Sequence, residues 1–162
     1  MSLLRIGDRA PQFTIKGILG GQVAEYSLHS SKGKWLVLFF YPADFTFICP
    51  TEVTGFSKMA QEFAAEGAAL LGVSVDPIDS HRSWAEELGG LAIPLLSDET
   101  KTMSQAYGVL DEKEGVALRA TFIINPAGGI CYQVVSLVNV GGSGDETLRG
   151  LKWLGTERLC PS

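Results

Sequence analysis

Cysteine and histidine are scarce in this chain, and their placement argues against several kinds of site. The three cysteines are Cys49, Cys131 and Cys160, and no two of them form a CxxC pair. An odd number of cysteines with this spacing disfavours both a disulfide framework and a cysteine-rich zinc site. The two histidines, His29 and His81, are too far apart in sequence to suggest a metal-ligand cluster. What remains is a catalytic or redox-active cysteine, or an ordinary buried one.

Long apolar runs and an excess of positive charge are also missing. No apolar run is long enough to span a bilayer, and the N-terminal stretch MSLLRIGDRA lacks the apolar core of a signal peptide. The formal net charge of −5 argues against nucleic acid or an anionic membrane as the main partner. We therefore expect a cytoplasmic protein, in a compartment where thiols stay reduced.

The order of apolar patterns indicates one α/β domain. A chain of 162 residues, 46% of them hydrophobic, can bury a sizeable single core. Short apolar runs predict strands at 35–41, 69–75, 93–96, 120–125 and 130–138. Helical spacing and capping residues predict helices at 52–65, 80–88, 100–107 and 145–154. Because strands and helices alternate before a closing hairpin, we expect a three-layer sandwich around a mixed sheet.

The stretch FFYPADFTFICPTEV places one cysteine between a predicted strand and a predicted helix. Cys49 should therefore lie near a helix N-terminus, where the helix dipole and free amide groups favour a thiolate. Pro50 fits beside it, because the first helical turn does not need the missing N–H of proline. Position alone leaves two interpretations open: an activated sulfur, or a buried and inert cysteine at a helix start.

The same stretch resembles the active-site segment of peroxiredoxins, in the group that includes the alkyl hydroperoxide reductase C subunit and the typical two-cysteine enzymes. The family pattern is a proline, three residues, a threonine, two residues and a cysteine, which Pro42, Thr46 and Cys49 supply. Further segments resemble that group in the same order along the chain: VSVDPIDSHRSW, IPLLSD, YGVL, GVALRATFIIN and the terminal LCP. The resemblance implies a thioredoxin-like three-layer sandwich with a central mixed sheet. It implies a single domain over 1–162 whose short C-terminal segment carries Cys160.

The resemblance also implies roles for individual residues. Cys49 would be the peroxidatic cysteine, whose thiolate attacks a peroxide and becomes a sulfenic acid. Thr46 would hydrogen-bond the sulfur and the peroxide, and Pro42 would shield the sulfenic acid from water. Arg119 would stabilise the thiolate and the charge that develops on the leaving oxygen. Cys160 would be the resolving cysteine, which attacks the sulfenic acid and forms a disulfide.

Substrates and partners are implied by the same resemblance. Hydrogen peroxide and small alkyl hydroperoxides are the expected substrates, and a thioredoxin-like protein or a flavoprotein would reduce the disulfide. A homodimer is expected, with assembly into rings of five dimers left open. No metal and no bound cofactor is implied, and neither nucleic acid nor a membrane is expected as a partner. Glu52 would support the site by accepting hydrogen bonds from active-site arginines.

Simpler interpretations and departures from the family pattern stand beside these roles. Taken singly, Pro42 could end a strand, Thr46 could be a turn hydroxyl, Glu52 a helix-start carboxylate, and Arg119 a surface charge. Cys160 could be a bystander near the chain end, Cys131 is expected to be a small strand residue, and His81 and Trp84 structural helix residues.

Members of the resembled family commonly carry a second arginine before the last helix, and an ungapped match places Gly142 at that position, so a second arginine partner for Glu52 is not expected. Compared with the family, the segment after 89–91 is short. The chain stops at Ser162, so we expect no C-terminal arm over the active site. The alternatives in function are a one-cysteine mechanism with an external thiol, and a redox sensor or holdase chaperone on the same fold. A disulfide oxidoreductase is disfavoured because it would normally use a CxxC pair.

Overall fold

The computed structural model describes residues 4–29, 33–45 and 54–136, together with residues 147, 149 and 151. The strands, in chain order, are β1 (Thr14–Leu19), β2 (Gln22–Ser27), β3 (Trp35–Phe40), β4 (Ala68–Ser74), β5 (Leu95–Ser97), β6 (Leu110–Asp111), β7 (Val116–Ala117), β8 (Arg119–Ile124) and β9 (Ile130–Ser136). The helices are α1 (Ala60–Ala65), α2 (Ile78–Glu87) and α3 (Thr102–Ala106). Residues 54–58, which precede α1, and residues 147, 149 and 151 are also helical.

Seven of the strands form one mixed sheet in the order β2-β1-β5-β4-β3-β8-β9. The central strands β3, β4 and β5 run parallel to one another, and the flanking pairs are antiparallel. β6 and β7 form a separate two-stranded ribbon. The mixed sheet and the alternation of strands with helices confirm the architecture that the apolar patterns predict.

The sheet is covered on both faces, and β3 is buried at every position after Trp35. Alternate residues of a strand point to opposite faces. Val37, Phe39 and Tyr41 therefore share one core with Phe63 of α1 and Trp84 of α2. The even-numbered residues of β3 share the other core with α3. A continuous apolar run is what such a two-sided position requires.

The observed elements differ from the predicted ones mainly in the first thirty residues. β1 and β2 form a hairpin through Gly20 and Gly21, whose φ angles of 58° and 80° fit a tight two-residue turn. This hairpin was not predicted, although Gly-Gly between alternating residues is a recognised signal for one. β5 begins at Leu95 and not at Ile93, since Pro94 has no N–H to offer a ladder.

α3 begins two residues later than predicted, at Thr102. The buried Asp98 carboxylate accepts hydrogen bonds from the backbone N–H groups of Met103 (3.1 Å) and Ser104 (2.7 Å), which lie in the first turn of the helix. These bonds satisfy two of the amide groups that a helix start leaves without intrahelical partners. In the described part of the chain, no helix is both long and apolar enough to cross a membrane.

Candidate active site

Of the residues to which the resemblance gives a role in the active site, the structure describes two, Pro42 and Arg119. The others lie outside the described residues: Thr46, Cys49, Glu52, Gly142 and Cys160. Their roles therefore stay predictions. The described residues include the loop that leads into the segment 46–53 and the helix that continues from it.

Arg119 is the first residue of β8 and lies beside the C-terminal end of β3. The antiparallel register pairs Phe40 with Ala120, so Arg119 sits one residue beyond the last pair, at the edge where the chain leaves β3 toward Pro42. Residue alternation along β8 directs its side chain to the face that carries Ile123, the face covered by α1 and α2. Arg119 is only 3% exposed. Because Arg119 is buried, the interpretation of it as a surface charge is wrong. A buried guanidinium is uncommon in proteins.

The helix after the segment 46–53 is held against the sheet by aromatic stacking. Phe56, in the helical residues 54–58, lies parallel to Phe39 of β3, with ring centroids 4.5 Å apart and an interplanar angle of 9°. Both rings are fully buried. The helical residues 54–58 and α1 confirm the predicted helix over its described part, and Phe56 lies on the same face of the sheet as the side chain of Arg119.

The loop after β3 contains Pro42, which is half-buried. Phe45, the last described residue of this loop, has an unusual backbone conformation. Phe45 has a φ of 61°, in the left-handed region that residues other than glycine seldom adopt. Its ring is 53% exposed and lies 6.2 Å from the ring of Trp84. The chain thus enters the segment that carries Cys49 through a turn that neighbouring contacts must hold.

A buried carboxylate organises this loop. Asp44 Oδ1 accepts a hydrogen bond from the Tyr41 hydroxyl (2.8 Å), and its Oδ2 accepts one from the Ser80 hydroxyl (2.8 Å). The same Oδ2 lies 2.8 Å from His81 Nδ1. The backbone N–H of Asp44 donates to Asp76 Oδ2, also at 2.8 Å. Asp44 is therefore bonded to the residue that follows β3, to α2 and to the turn between β4 and α2.

The neighbours of Asp44 are themselves buried. His81 is fully buried in α2, and its Nε2 lies 2.9 Å from the carbonyl oxygen of Leu96 in β5. Tyr41 is fully buried too, and burial, reinforced by the charge of Asp44, raises the pKa of its hydroxyl well above its usual range. Tyr41 therefore acts here as a hydrogen-bond donor and not as a phenolate.

Sequence patterns predicted only part of this network. His81 and Trp84 are buried on one face of α2, as expected for structural residues one turn apart. The connection of His81 to Asp44 was missed, because the two residues are far apart in sequence and nothing in a single sequence pairs them. A histidine on the apolar face of a helix was the available signal, since such a residue needs polar partners.

Cys131 lies away from this edge of the sheet. It sits in β9 at an irregularity opposite Ile123 and Ile124, whereas Arg119 is at the other end of β8. Five residues of strand separate the two ends, or about 15 Å. The Cys131 sulfur is half-buried and accepts a hydrogen bond from the Asn125 amide at 3.4 Å. The expectation that Cys131 is a small strand residue agrees with this position.

The described part of this edge combines a buried cation, a half-buried proline and a buried polar network. A permanent positive charge in a place with little water stabilises an anion, such as a thiolate, more strongly than the same charge on the surface does. Among the described residues, no group of three or more histidine, cysteine or carboxylate side chains could hold a metal ion.

Comparison with known proteins gives one consistent result. The AhpC/TSA family model matches residues 6–133. A Clostridium pasteurianum protein assigned as a peroxiredoxin in the rubredoxin operon is 48% identical over 163 residues, 96% of this chain and 92% of that protein. Mouse peroxiredoxin-2 is 46% identical over 151 residues, 90% of this chain and 76% of the mouse protein.

Solved structures agree with the sequence matches. Mycobacterium tuberculosis AhpC superposes with a TM-score of 0.89 at 38% identity, covering 99% of this chain and 98% of that one. These matches confirm a thioredoxin-like fold, because the superposition covers the whole mixed sheet and its helices. The chain thus belongs to the AhpC/TSA family of peroxiredoxins and is a thiol-dependent peroxidase.

Proposed function

We propose that this enzyme reduces hydrogen peroxide and small alkyl hydroperoxides with Cys49 as the attacking sulfur. The thiolate attacks one peroxide oxygen and the O–O bond breaks. The sulfur becomes a sulfenic acid, and the leaving oxygen takes up a proton to give water or an alcohol. The protein supplies no metal and no organic cofactor in this scheme, because the sulfur itself carries the two-electron change.

The observation that carries this proposal is the buried position of Arg119 beside the end of β3. Peroxide cleavage places negative charge first on sulfur and then on the leaving oxygen. A preorganised cation stabilises such charge without having to reorganise during the reaction. Glu52 would orient this guanidinium, Thr46 would hydrogen-bond the reacting atoms, and Pro42, half-buried in the loop, would exclude water from the sulfenic acid.

We propose that Cys160, which belongs to the short C-terminal segment of the single domain, attacks the sulfenic acid and forms a disulfide with Cys49. Attack of the Cys160 thiolate on the Cys49 sulfenic acid forms the S–S bond and displaces hydroxide, which takes up a proton to give water. A thioredoxin-like protein or a flavoprotein would then reduce that bond, in the cytoplasm. The position of Cys131 supports this choice, since its strand end lies about 15 Å from Arg119 along β8.

A homodimer is proposed on the basis of β9. This strand is at one edge of the seven-stranded sheet, and Val134 and Val135 are 41% and 49% exposed. An exposed apolar edge strand offers unpaired backbone groups to a second chain and would otherwise be a site of aggregation. Pairing of two copies through β9 would cover these valines. A ring of five such dimers is a further step that β9 alone does not require.

The first experiment replaces the attacking sulfur. Cys49→Ser should abolish peroxide consumption with dithiothreitol as the reductant, because a serine hydroxyl is not ionised at neutral pH and cannot be oxidised to a sulfenic acid. Cys131→Ser is the matched control and should keep the wild-type rate. A Cys49→Ser enzyme that retained a tenth of the wild-type rate would contradict the assignment. A holdase without peroxidase activity would fail this assay in the wild type.

The second experiment distinguishes the two-cysteine mechanism from its one-cysteine alternative. After one equivalent of peroxide, wild type should run as a disulfide-linked dimer on a non-reducing gel, and Cys160→Ser should run as a monomer that carries the sulfenic acid. A dimer band that persisted in Cys160→Ser and disappeared in Cys131→Ser would move the resolving role to Cys131. Monomeric wild type with a stable Cys49 sulfenic acid would favour the external thiol.

A further inference from the structure

Asp44 and His81 form a buried ion pair next to the proposed peroxidatic site. Their side chains are 1% and 0% exposed, and Asp44 Oδ2 lies 2.8 Å from His81 Nδ1. The Leu96 carbonyl, 2.9 Å from His81 Nε2, can only accept a hydrogen bond, so Nε2 carries a proton. The Asp44 carboxylate also accepts hydrogen bonds from the hydroxyl groups of Tyr41 and Ser80, and His81 Nδ1 lies in position to be a third donor to it.

A buried ion pair contributes little to stability compared with apolar side chains of the same shape, because both charges must be desolvated. Its benefit lies in geometry, since several donors and one carboxylate fit together in only one arrangement. Here that arrangement joins the loop after β3 to α2 and, through the Leu96 carbonyl, to β5. The loop is the part of the chain that continues directly into the segment 46–53.

Resting on the proposed role of Cys49, we propose that Asp44 and His81 are positioning residues for peroxide reduction, which hold the loop carrying Pro42 and its continuation toward Cys49 against α2. Pro42 lies two residues before Asp44, and Cys49 lies five residues after it. Neither Asp44 nor His81 needs to touch the peroxide for this role. Their effect reaches the sulfur through the backbone between them.

The backbone at Phe45 shows why the loop needs such an anchor. A phenylalanine with a φ of 61° is held in that conformation only when surrounding contacts outweigh the strain. The contacts on the preceding residue are the three that the Asp44 carboxylate accepts and the one that its N–H donates to Asp76. Loss of the ion pair should let this turn relax and displace the segment 46–53.

The test uses two substitutions of the same histidine that keep different hydrogen bonds. In His81→Asn the amide nitrogen falls near the position of Nδ1 and can still donate to Asp44. In His81→Gln it falls near Nε2 and can still donate to the Leu96 carbonyl, leaving Asp44 without that donor. Neither amide side chain carries a charge, so a difference between His81→Asn and His81→Gln reports the contact with Asp44. His29→Gln, at the exposed histidine, is the matched control.

The measured quantity is the single-turnover rate constant of Cys49 with hydrogen peroxide at one fixed pH, followed by tryptophan fluorescence. We expect His81→Gln to lower it about tenfold, since a displacement of about 1 Å can cost up to about a hundredfold. His81→Asn should lower it less than about threefold, and His29→Gln should leave it unchanged.

Asp44→Asn provides a second route to the same conclusion and serves if a histidine variant does not fold. Its single-turnover rate constant should match that of His81→Gln. The double variant Asp44→Asn/His81→Gln should react no more slowly than either single variant, because both changes remove one shared interaction. Folded variants, judged by near-UV circular dichroism, with wild-type rate constants would overturn the proposal and leave the pair a structural feature. A wild-type enzyme whose Cys49 did not react with peroxide would instead overturn the proposed function.

Discussion

Arg119→Met tests how strongly the buried guanidinium stabilises the thiolate of Cys49. Methionine keeps much of the length and apolar volume of the arginine stem but removes the charge, so the packing around β8 changes little. We expect the pKa of the Cys49 thiol to rise and the rate of peroxide reduction to fall, because the thiolate loses an opposite charge that arginine carries at every working pH.

The magnitude depends on the burial of Arg119, which is 3% exposed. Across about 5 Å, a unit charge stabilises a thiolate by about 0.8 kcal/mol in bulk water but by about 3 kcal/mol at the effective dielectric constant of about 20 that suits protein sites. The second value corresponds to about two pKa units. A preorganised donor of this kind also contributes about a hundredfold or more to the rate. We therefore expect a pKa rise of about two units and a rate about a hundredfold lower.

The assay is the rate of Cys49 alkylation by iodoacetamide as a function of pH, read by mass spectrometry of the peptide that contains Cys49. Site-resolved detection is needed because Cys131 and Cys160 also react. Arg82→Met is the matched control, since the side chain of Arg82 is 41% exposed on α2 and, among the described residues, forms an ion pair only with the exposed Asp79, at 3.3 Å. It should shift the pKa by less than about half a unit. A folded Arg119→Met enzyme with an unchanged thiol pKa and a rate within about threefold of wild type would refute the reasoning.

Two further predictions concern stability. Gly72→Ala should lower the free energy of unfolding in urea by about 1–3 kcal/mol, because the new methyl group would lie 2.7 Å from Cζ of Phe39 and 3.1 Å from Cδ2 of Leu95. Gly55→Ala lies in a helix with open space around the added methyl group, so it should instead raise the free energy of unfolding by about 0.5–1 kcal/mol. Equal effects of the two substitutions would contradict this account. Burial also raises the pKa of the Tyr107 hydroxyl well above its usual value. The unfolded state therefore releases that proton at a lower pH than the folded state does. The free energy of unfolding should fall as the pH rises above about 10, by up to about 1.4 kcal/mol per pH unit. Tyr107→Phe should reduce that slope by about one proton in urea titrations at several pH values, and an unchanged slope would count against it.

Much of the fold could be predicted because its signals are local. The run from Trp35 to Phe40 is apolar at every position, and only a strand covered on both faces requires that. The boundaries were less accurate where one atom or one contact decides them. Pro94 delays the start of β5, and the Asp98 carboxylate determines where α3 begins, yet neither effect is visible in a hydrophobic pattern.

The hairpin of β1 and β2 was missed for a different reason. Its strands are only partly buried, with Lys16 and Glu25 exposed, so the apolar alternation is weak. The sheet order could not be obtained from the sequence either. β1 lies beside β5, far along the chain, because the antiparallel pairing of Ile18 with Leu95 buries both side chains. Such pairings depend on which surfaces remain uncovered once the central strands have formed.

The sequence by itself determined the family, the alternating α/β architecture and the set of candidate residues at Cys49, because these depend on residue types at short, ordered spacings. The tertiary structure decided which distant groups meet. It buries Arg119 beside the end of β3, and it brings Asp44 and His81, 37 positions apart, to within 2.8 Å. Burial determines how strongly a charge interacts with a neighbouring charge, and contacts between distant residues determine the geometry of a loop. Both arise only when strands and helices from separate parts of the chain pack around one sheet.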